Sequence, residues 1–294
     1  MAIKELHETC SYSVSSLCRI ACITRSAYYR WKDSPRSRNE LENEGLLRRF
    51  QEMHEEHPDM GHRRLADRLE RDTGKHITDK RALRICRKGH ISSKTKWKPK
   101  SCTRGDRNPY HIAENVLDRN FTAEAPNRKW CTDISEFKYY KPGNSYEVAG
   151  KLYLSAFIDL YDKRIVSFVI SDRNDNELVM KTFDKAVGKE KEAHPMLHSD
   201  RGFQYTSRAF RKRIESHDMV QSMSRVGRCI DNAPMEGFWG LMKREMYYGR
   251  KFRDREELLK AMKDYIRYYN GKRIQRKLDR LTPLEFHNAY LLVA

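Results

Sequence analysis

Three short stretches of the 294-residue chain, WCTDIS, HSDRGFQY and DNAPMEGFWGLMKREM, set acids where a charge asks for an explanation. Asp133 stands between Thr132 and Ile134, in an alternating run rich in Trp, Thr, Ile, Phe and Tyr that predicts a strand. A carboxylate on such a half-buried surface needs partners or a metal, because an unpaired buried charge is costly. Asp200 closes a short predicted strand, and Gly202 behind it lets the backbone turn away so that the carboxylate projects from the strand end. Strand ends of that kind are where α/β sheets gather their chemistry. Glu236 lies in the first turn of a predicted helix. Asp231 or Asn232 can cap that helix, Pro234 suits its first position, and Met235, Phe238, Met242 and Met246, with Leu241 beside them, form its apolar stripe.

Alone, an acid in a first helical turn interacts with the helix dipole for about 0.3–1 kcal/mol and needs no further role. Three carboxylates from two strands and a helix are a different matter. They make an oxygen-only site suited to a hard divalent ion, Mg²⁺ or Mn²⁺, and no His/Cys cluster competes. Without a metal the acids repel one another and at least one pKa rises; with it they ionise together. Two such ions, roughly 3.5–4 Å apart, would activate an attacking oxygen and stabilise a leaving one in phosphoryl displacement. Lys243 follows Glu236 by seven residues, so a regular helix returns it to nearly the same face, about 10.5 Å along the axis. There it can meet a phosphate.

The rest of the composition suits that chemistry. A net charge of +18 and a pI near 9.6 point to a polyanionic partner, nucleic acid first, since neutralising phosphates releases counterions. No apolar run approaches the roughly 20 residues of a bilayer span. The stretch MAIKELHETC carries acids where a signal peptide is apolar, so the expected location is the cytoplasm, without membrane association. The seven cysteines are scattered and lack a CxxC pair, which fits reduced thiols. Cys18 and Cys22 stand four apart without the two further ligands that zinc requires. Cys131 reads as core.

The elements that must position the acids fall into segments. Residues 1–38 read as a helix-turn-helix-like pair around Thr24, and 39–91 as a helical DNA-binding domain, with Gly74 ending one helix and Thr78 and Gly89 bounding the next. Residues 92–125 form a basic linker; from 80 to 107 there are eleven Lys/Arg against the single acid Asp106. Arg81, Arg84, Arg87, Lys88, Lys96 and Lys98 from this region are the candidate phosphate contacts, together with Lys243 and Arg244. From 126 to 250 the pattern is three strands followed by alternating helix and strand, an α/β domain around a mixed sheet with helices on both faces, and 251–294 is a helical extension whose Lys/Arg and Tyr residues are expected to track the DNA backbone. KPGNSYEVAG is read as the turn between the first two strands. Asp159 is a fourth acid in strand context, with ordinary partners expected from its strand end and turn.

In order and context the three acid stretches resemble the catalytic core of bacterial insertion-sequence transposases of the DDE type, the OrfB product of the group that includes insertion sequence 3. The 35 residues between Asp200 and Glu236 match the spacing of that group and of retroviral integrases. HPDMGHRRLADRL resembles the group's helical DNA-binding segment, and YYNGKRIQRKLDRLTPLEF its C-terminal motif. The resemblance implies a ribonuclease H-like core of five strands, with Asp133, Asp200 and Glu236 as catalytic metal ligands for two Mg²⁺ or Mn²⁺ ions. It implies Lys243 as a contact to terminal DNA, and His198, Gly202, Gln204, Asn232 and Trp239 as residues shaping the site. The implied activity is cleavage at terminal inverted repeats followed by 3′-hydroxyl transfer into another phosphodiester; a ribonuclease H-like nuclease that cuts without joining and a DNA-binding regulator of transposition are the alternative readings. A homo-oligomer on the DNA ends, and an upstream OrfA product or fusion, are the implied protein partners. Two departures stand out: the Asp133–Asp200 interval of 66 residues is wide, which places extra length in the KPGNSYEVAG hairpin, and Gln275 occupies a position where histidine is usual.

Overall fold

The computed structural model describes residues 2–34, 37–94, 110–141 and 144–293. Lys96 and Lys98, with residues 95–109 of the basic linker, lie outside the described residues. The chain begins with three short helices, α1 (Ala2–Cys10), α2 (Val14–Ile20) and α3 (Arg25–Asp33). Ser13 and Thr24 cap the second and third through their side-chain oxygens, which sets the expected break at Thr24. A helical module comes next: α4 (Arg38–Glu56), α5 (His62–Thr73) and α6 (Asp79–Lys88). Its boundaries are those the capping residues predict. Gly74 takes φ +67° at the end of α5, Thr78 accepts from Arg81 N at the start of α6, and Gly89 closes it. Leu46, Phe50, Leu65, Leu69, Ala82 and Ile85 give this module a hydrophobic core of its own.

The sheet comprises β1 (Lys129–Lys141), β2 (Asn144–Asp159), β3 (Ile165–Ser171), β4 (Met196–Ser199) and β5 (Val220–Met223), in the order β3-β2-β1-β4-β5. The first three strands run antiparallel, and β4 and β5 join β1 in parallel. Between them lie α7 (Asn176–Lys189) and α8 (Arg208–Glu215); α9 (Ala233–Met242), α10 (Arg255–Gly271) and α11 (Pro283–Leu291) come after the sheet. Strand alternation sorts the core into two layers. Cys131, Phe137, Leu152, Leu154, Ala156 and Ile158 face α9 and α10. Trp130, Phe157, Val166 and Leu197 face α7 and α8. Helices therefore cover both faces of a mixed sheet, as expected.

Three sequence readings change. NSYEVAG is not turn but the first part of β2, which reaches back to Asn144 and leaves only 142–143 between the strands. Its register slips beside Tyr139 and Tyr140, so the extra length of the Asp133–Asp200 interval is spent on a longer, irregular hairpin. The C-terminal stretch, read as tracking DNA with its tyrosines and basic residues, turns much of that chemistry inward. Tyr265, Ile266 and Tyr269 of α10 are buried in the same layer as α9, and Arg273 is buried beside them. Residues 110–121 do not all stand free as linker: Leu117 is buried, and its N–H donates to Ser222 Oγ at 3.0 Å. Gln275 pairs its backbone with Leu281 in an isolated bridge, a packing position. Among the described residues no helix is long and apolar enough to cross a membrane.

Candidate active site

Asp133 is on β1 opposite Ala156, on the face that carries Cys131 and Phe137 and lies under α9. Trp239, three residues beyond Glu236 and thus on a neighbouring face of α9, donates its indole N–H to Asp133 Oδ2 at 3.0 Å. Asp200 directly succeeds β4. Gly202 N–H donates to its Oδ1 at 2.9 Å, and a Cβ at position 202 would stand 3.0 Å from that oxygen and 3.1 Å from Gln204 Oε1. Glycine is what lets the turn close over the carboxylate. Glu236 is exposed in the first turn of α9, with the buried stripe Met235, Phe238 and Met242 fixing its helix against the sheet.

These acids feel one another. Burial, and then the negative charges of Asp200 and Glu236, push the Asp133 carboxyl up to about 8, and burial raises Asp200 as well. Lys243 interacts with the first of them: burial lowers its pKa while Asp133 and Glu136 oppose that shift, and its Nζ lies 5.3 Å from the centre of the Phe137 ring. As the side chains stand, among the described residues no three His, Cys, Asp or Glu groups form a ready cage for an ion. The donor set nevertheless fits magnesium, which binds one or two carboxylates and completes its shell with water and substrate phosphate. Asn232 adds an acceptor: its amide donates to Thr132 O at 3.1 Å, which fixes its orientation, and its Oδ1 is buried without a partner.

Linkage gives the first prediction. An aspartate held near 8 when folded, against 3.8 as its reference value, keeps a proton in the native state that the unfolded chain gives up. The stability tied to that proton is full below about pH 4 and is lost as pH rises toward 8. In chelator, the melting temperature of the protein is expected to fall by at least about 5 °C over that window. Asp133→Asn should flatten the fall, and added Mg²⁺ should reverse it, in differential scanning fluorimetry across pH.

The supporting residues divide. His198 is fully buried within the sheet, its two ring nitrogens against Ser222 Oγ at 2.9 Å and Ser224 Oγ at 3.1 Å. Burial lowers its pKa to about 4, so it is a neutral strut joining β4 to β5. Gln204 donates to Asn174 Oδ1 at 2.6 Å. Asn232 sits at the N-cap of α9 but makes no capping bond, and Asp231 does not cap either. Instead Asp231 is fully buried and accepts from Arg225 N, Arg225 Nε, Arg119 Nε and Asn115 Nδ2. Hydrogen bonds from Arg225 hold its carboxyl far below the usual range. Sequence reading missed this joint, and no local pattern announces it. Asp159 has the ordinary partners expected of it: Asn127 N–H, Tyr161 N–H and the Trp130 indole.

The candidate DNA contacts are spread out. Arg84, Arg87 and Lys88 are exposed along α6, whereas Arg81 bonds Asn43 and Glu42 of α4. Arg244, next to Lys243, is half-buried, its guanidinium folded back toward Gly240.

A mixed sheet with acids on its first strand, after its fourth and in the succeeding helix is the arrangement expected of an integrase core. Two family models described as "Integrase core domain" match residues 123–229 and 236–291. The chain is 37% identical over 280 residues, 94% of each chain, to a putative transposase for insertion sequence element IS150 of Escherichia coli K12. It is 29% identical over 98% of each chain to the transposase for insertion sequence IS3A of the same organism. Among solved structures, an intasome chain of simian T-cell lymphotropic virus, bound to a PP2A regulatory subunit, aligns over 76% of this chain and 74% of its own with a TM-score of 0.46 and 17% identity. The chain belongs to the DDE transposases of the insertion sequence 3 family.

Proposed function

We propose that this transposase cuts DNA at the terminal inverted repeats of its element and transfers the exposed 3′-hydroxyl to a second phosphodiester. The observation that carries the reading is the set of acids on β1, at the end of β4 and in the first turn of α9, where burial and then the charges of Asp200 and Glu236 push the Asp133 carboxyl up to about 8, within a chain of net charge +18. A divalent cation bound there would let the three ionise together. Asp133, Asp200 and Glu236 would hold Mg²⁺ or Mn²⁺, two ions in the full complex. Bound there, divalent ions lower the cost of charge on the attacking and leaving oxygens.

The chain's own groups supply the remainder. In the cut, water attacks phosphorus and the 3′-oxygen leaves as a hydroxyl; in the transfer, that hydroxyl attacks and another 3′-oxygen leaves. Trp239 orients Asp133 by its indole hydrogen bond. Lys243, poised beside the acids, neutralises a phosphate of the DNA end. Arg244, with Arg84, Arg87 and Lys88 on α6, grips backbone phosphates farther along, and Lys96 and Lys98 extend that path. Two DNA ends call for at least two copies of the chain, and an upstream-frame product or fusion is the expected protein partner.

The test is incubation of the protein with labelled terminal-repeat DNA and Mg²⁺, products being resolved by size. Cut and joined strands are expected; cutting without joining would make the protein a nuclease, and no products at all would overturn the reading. A finer prediction concerns Trp239→Phe, which keeps the ring and removes the donor. Groups that orient a metal ligand are worth about 10–100-fold. Cleavage by this variant should fall by that factor while its melting temperature stays within a few degrees of the parent's.

A further inference from the structure

The helical module and the sheet domain keep separate hydrophobic cores, and the joint between them is ionic. At its centre is Glu245, 5% exposed, nine residues beyond Glu236 on the same run of helix. Arg64 of α5 donates to Glu245 Oε1 at 3.0 Å and to Tyr268 OH at 2.6 Å, and also pairs with Asp59. Arg273, just past α10, grips both carboxylate oxygens through Nε at 3.2 and 3.0 Å, and Tyr265 OH donates to Oε2 at 2.9 Å. Outlying pairs run the same way: Arg276 with Asp67 and Asp79, Arg280 with Asp67, and Arg71 with Glu285. Beside the joint lies a cavity of about 510 Å³ lined by Glu56, Asp59, Glu245, Lys260 and Tyr268 among others.

The backbone at this point is unusual. Residues Lys243–Tyr247, directly after α9, form a π-helical turn. Such turns are rare, cost regular hydrogen bonding, and persist only where surrounding contacts fix them. Lys243 opens the turn with its Nζ over the Phe137 ring and within reach of the Asp133 charge, and Glu245 sits in its middle, held by the two arginines. Lys243 is the first residue of that turn and Glu245 its third, so the clamp on Glu245 holds the backbone two residues beyond Lys243.

We propose that Glu245 is a positioning residue for the transposase: clamped by Arg64 and Arg273, it holds the π-helical turn that presents Lys243 to the acids, and so ties the catalytic geometry to the seating of the helical module. The carboxylate touches no substrate. Its work is to let the module that grips DNA report through Arg64 on whether Lys243 is in place. This rests on the reading of the protein as a DNA-cutting enzyme, and the experiment keeps the two apart.

Terminal-repeat DNA binding is measured by fluorescence anisotropy without divalent ion, and single-turnover cleavage is measured with Mg²⁺ at saturating DNA. Full-length wild type, Glu245→Gln, Arg64→Met, Arg64→Lys and Lys243→Gln are compared, together with Glu245→Gln and Arg64→Met combined and Glu245→Gln in the Lys243→Gln background. Misplacement of about 1 Å can cost 10²-fold, so Glu245→Gln should bind within about threefold of wild type and cut about 10–100-fold more slowly. Combining it with Arg64→Met should cost no more than the worse single change, because both break one unit. In the Lys243→Gln background Glu245→Gln should cost nothing further, which a merely structural role would not produce. Should Glu245→Gln or Arg64→Met not fold, Arg64→Lys carries the test: it keeps the charge, loses the fork that reaches Asp59, Glu245 and Tyr268 together, and should slow cutting with binding intact. Wild-type rates in Glu245→Gln or Arg64→Lys, a loss that vanishes at saturating DNA, or a full additional loss in the Lys243→Gln background would each overturn the proposal. Failure of wild type itself to cut would instead sink the functional reading.

Discussion

Asp200→Asn is expected to yield a folded protein that still binds DNA and neither cuts nor joins it. The amide matches the carboxylate in shape, and its oxygen can still accept from Gly202 N–H, as Asp200 Oδ1 does at 2.9 Å. What disappears is the charge. Removing a single pre-placed electrostatic group from an active site costs about 10²–10³-fold, and an acid that shares a doubly charged ion belongs at the upper end of that range or beyond it. Asp133→Asn and Glu236→Gln should behave alike, with cleavage and strand transfer down about a thousandfold or more in each. Melting temperatures in chelator should hold or rise, because raised carboxyl pKa values at Asp133 and Asp200 mark groups that burden the fold when ionised. Cutting by Asp200→Asn within tenfold of wild type would remove that acid from the site.

Much of this was legible in the sequence because it depends on neighbours along the chain. Thr78, Gly74 and Gly89 bound their helices through groups three or four residues away, and the stripe from Met235 to Met246 needs only helical period to be read as a buried face. The acids stood out for the same reason: strand alternation put Asp133 where an apolar residue belonged, and Gly202 marked the turn over Asp200. The features that stayed hidden depend on distant partners. Asp231 looks like a helix cap until Arg119, 112 residues away, is seen to reach it. Glu245 looks like one more surface acid until Arg64, 181 residues away, closes on it. The tyrosines of α10 look like a nucleic-acid surface until the second sheet layer needs something to cover it. The π-helical turn has no sequence signature, since its extra residue is held by contacts and not by propensity. Regularity is local, whereas the joints between segments are long-range, and it was the joints that sequence reading missed.

The Asp231 joint carries the other large effect. Its carboxylate is fully buried, yet Arg119 and Arg225 remain 42% and 45% exposed, so the charge is inside and its partners are half in water. Truncating one member of a fully buried pair costs about 3–5 kcal/mol. Here the arginines can turn to solvent, and Asp231→Ala should cost less, about 2–3 kcal/mol, or roughly 5–10 °C in melting temperature. Arg225→Ala should destabilise as well, because it leaves the buried carboxylate short of two donors, and the two together should cost little more than Asp231→Ala alone. The sign with pH comes from the depressed pKa: the contribution is present above the ordinary carboxylate range and is lost only in acid, so the variant and the parent should converge in stability as pH falls below about 4. Activity should suffer beyond what unfolding explains. Asp231 ties residues 115 and 119 and the loop after β5 to the entrance of α9, one turn before Glu236. Freed from that tie, the helix start gains play of the order that costs about tenfold in rate, even at temperatures where the variant is fully folded. Cleavage assays at about 20 °C beside thermal melts separate the two losses. A rate equal to wild type at that temperature would leave Asp231 with a stabilising role alone.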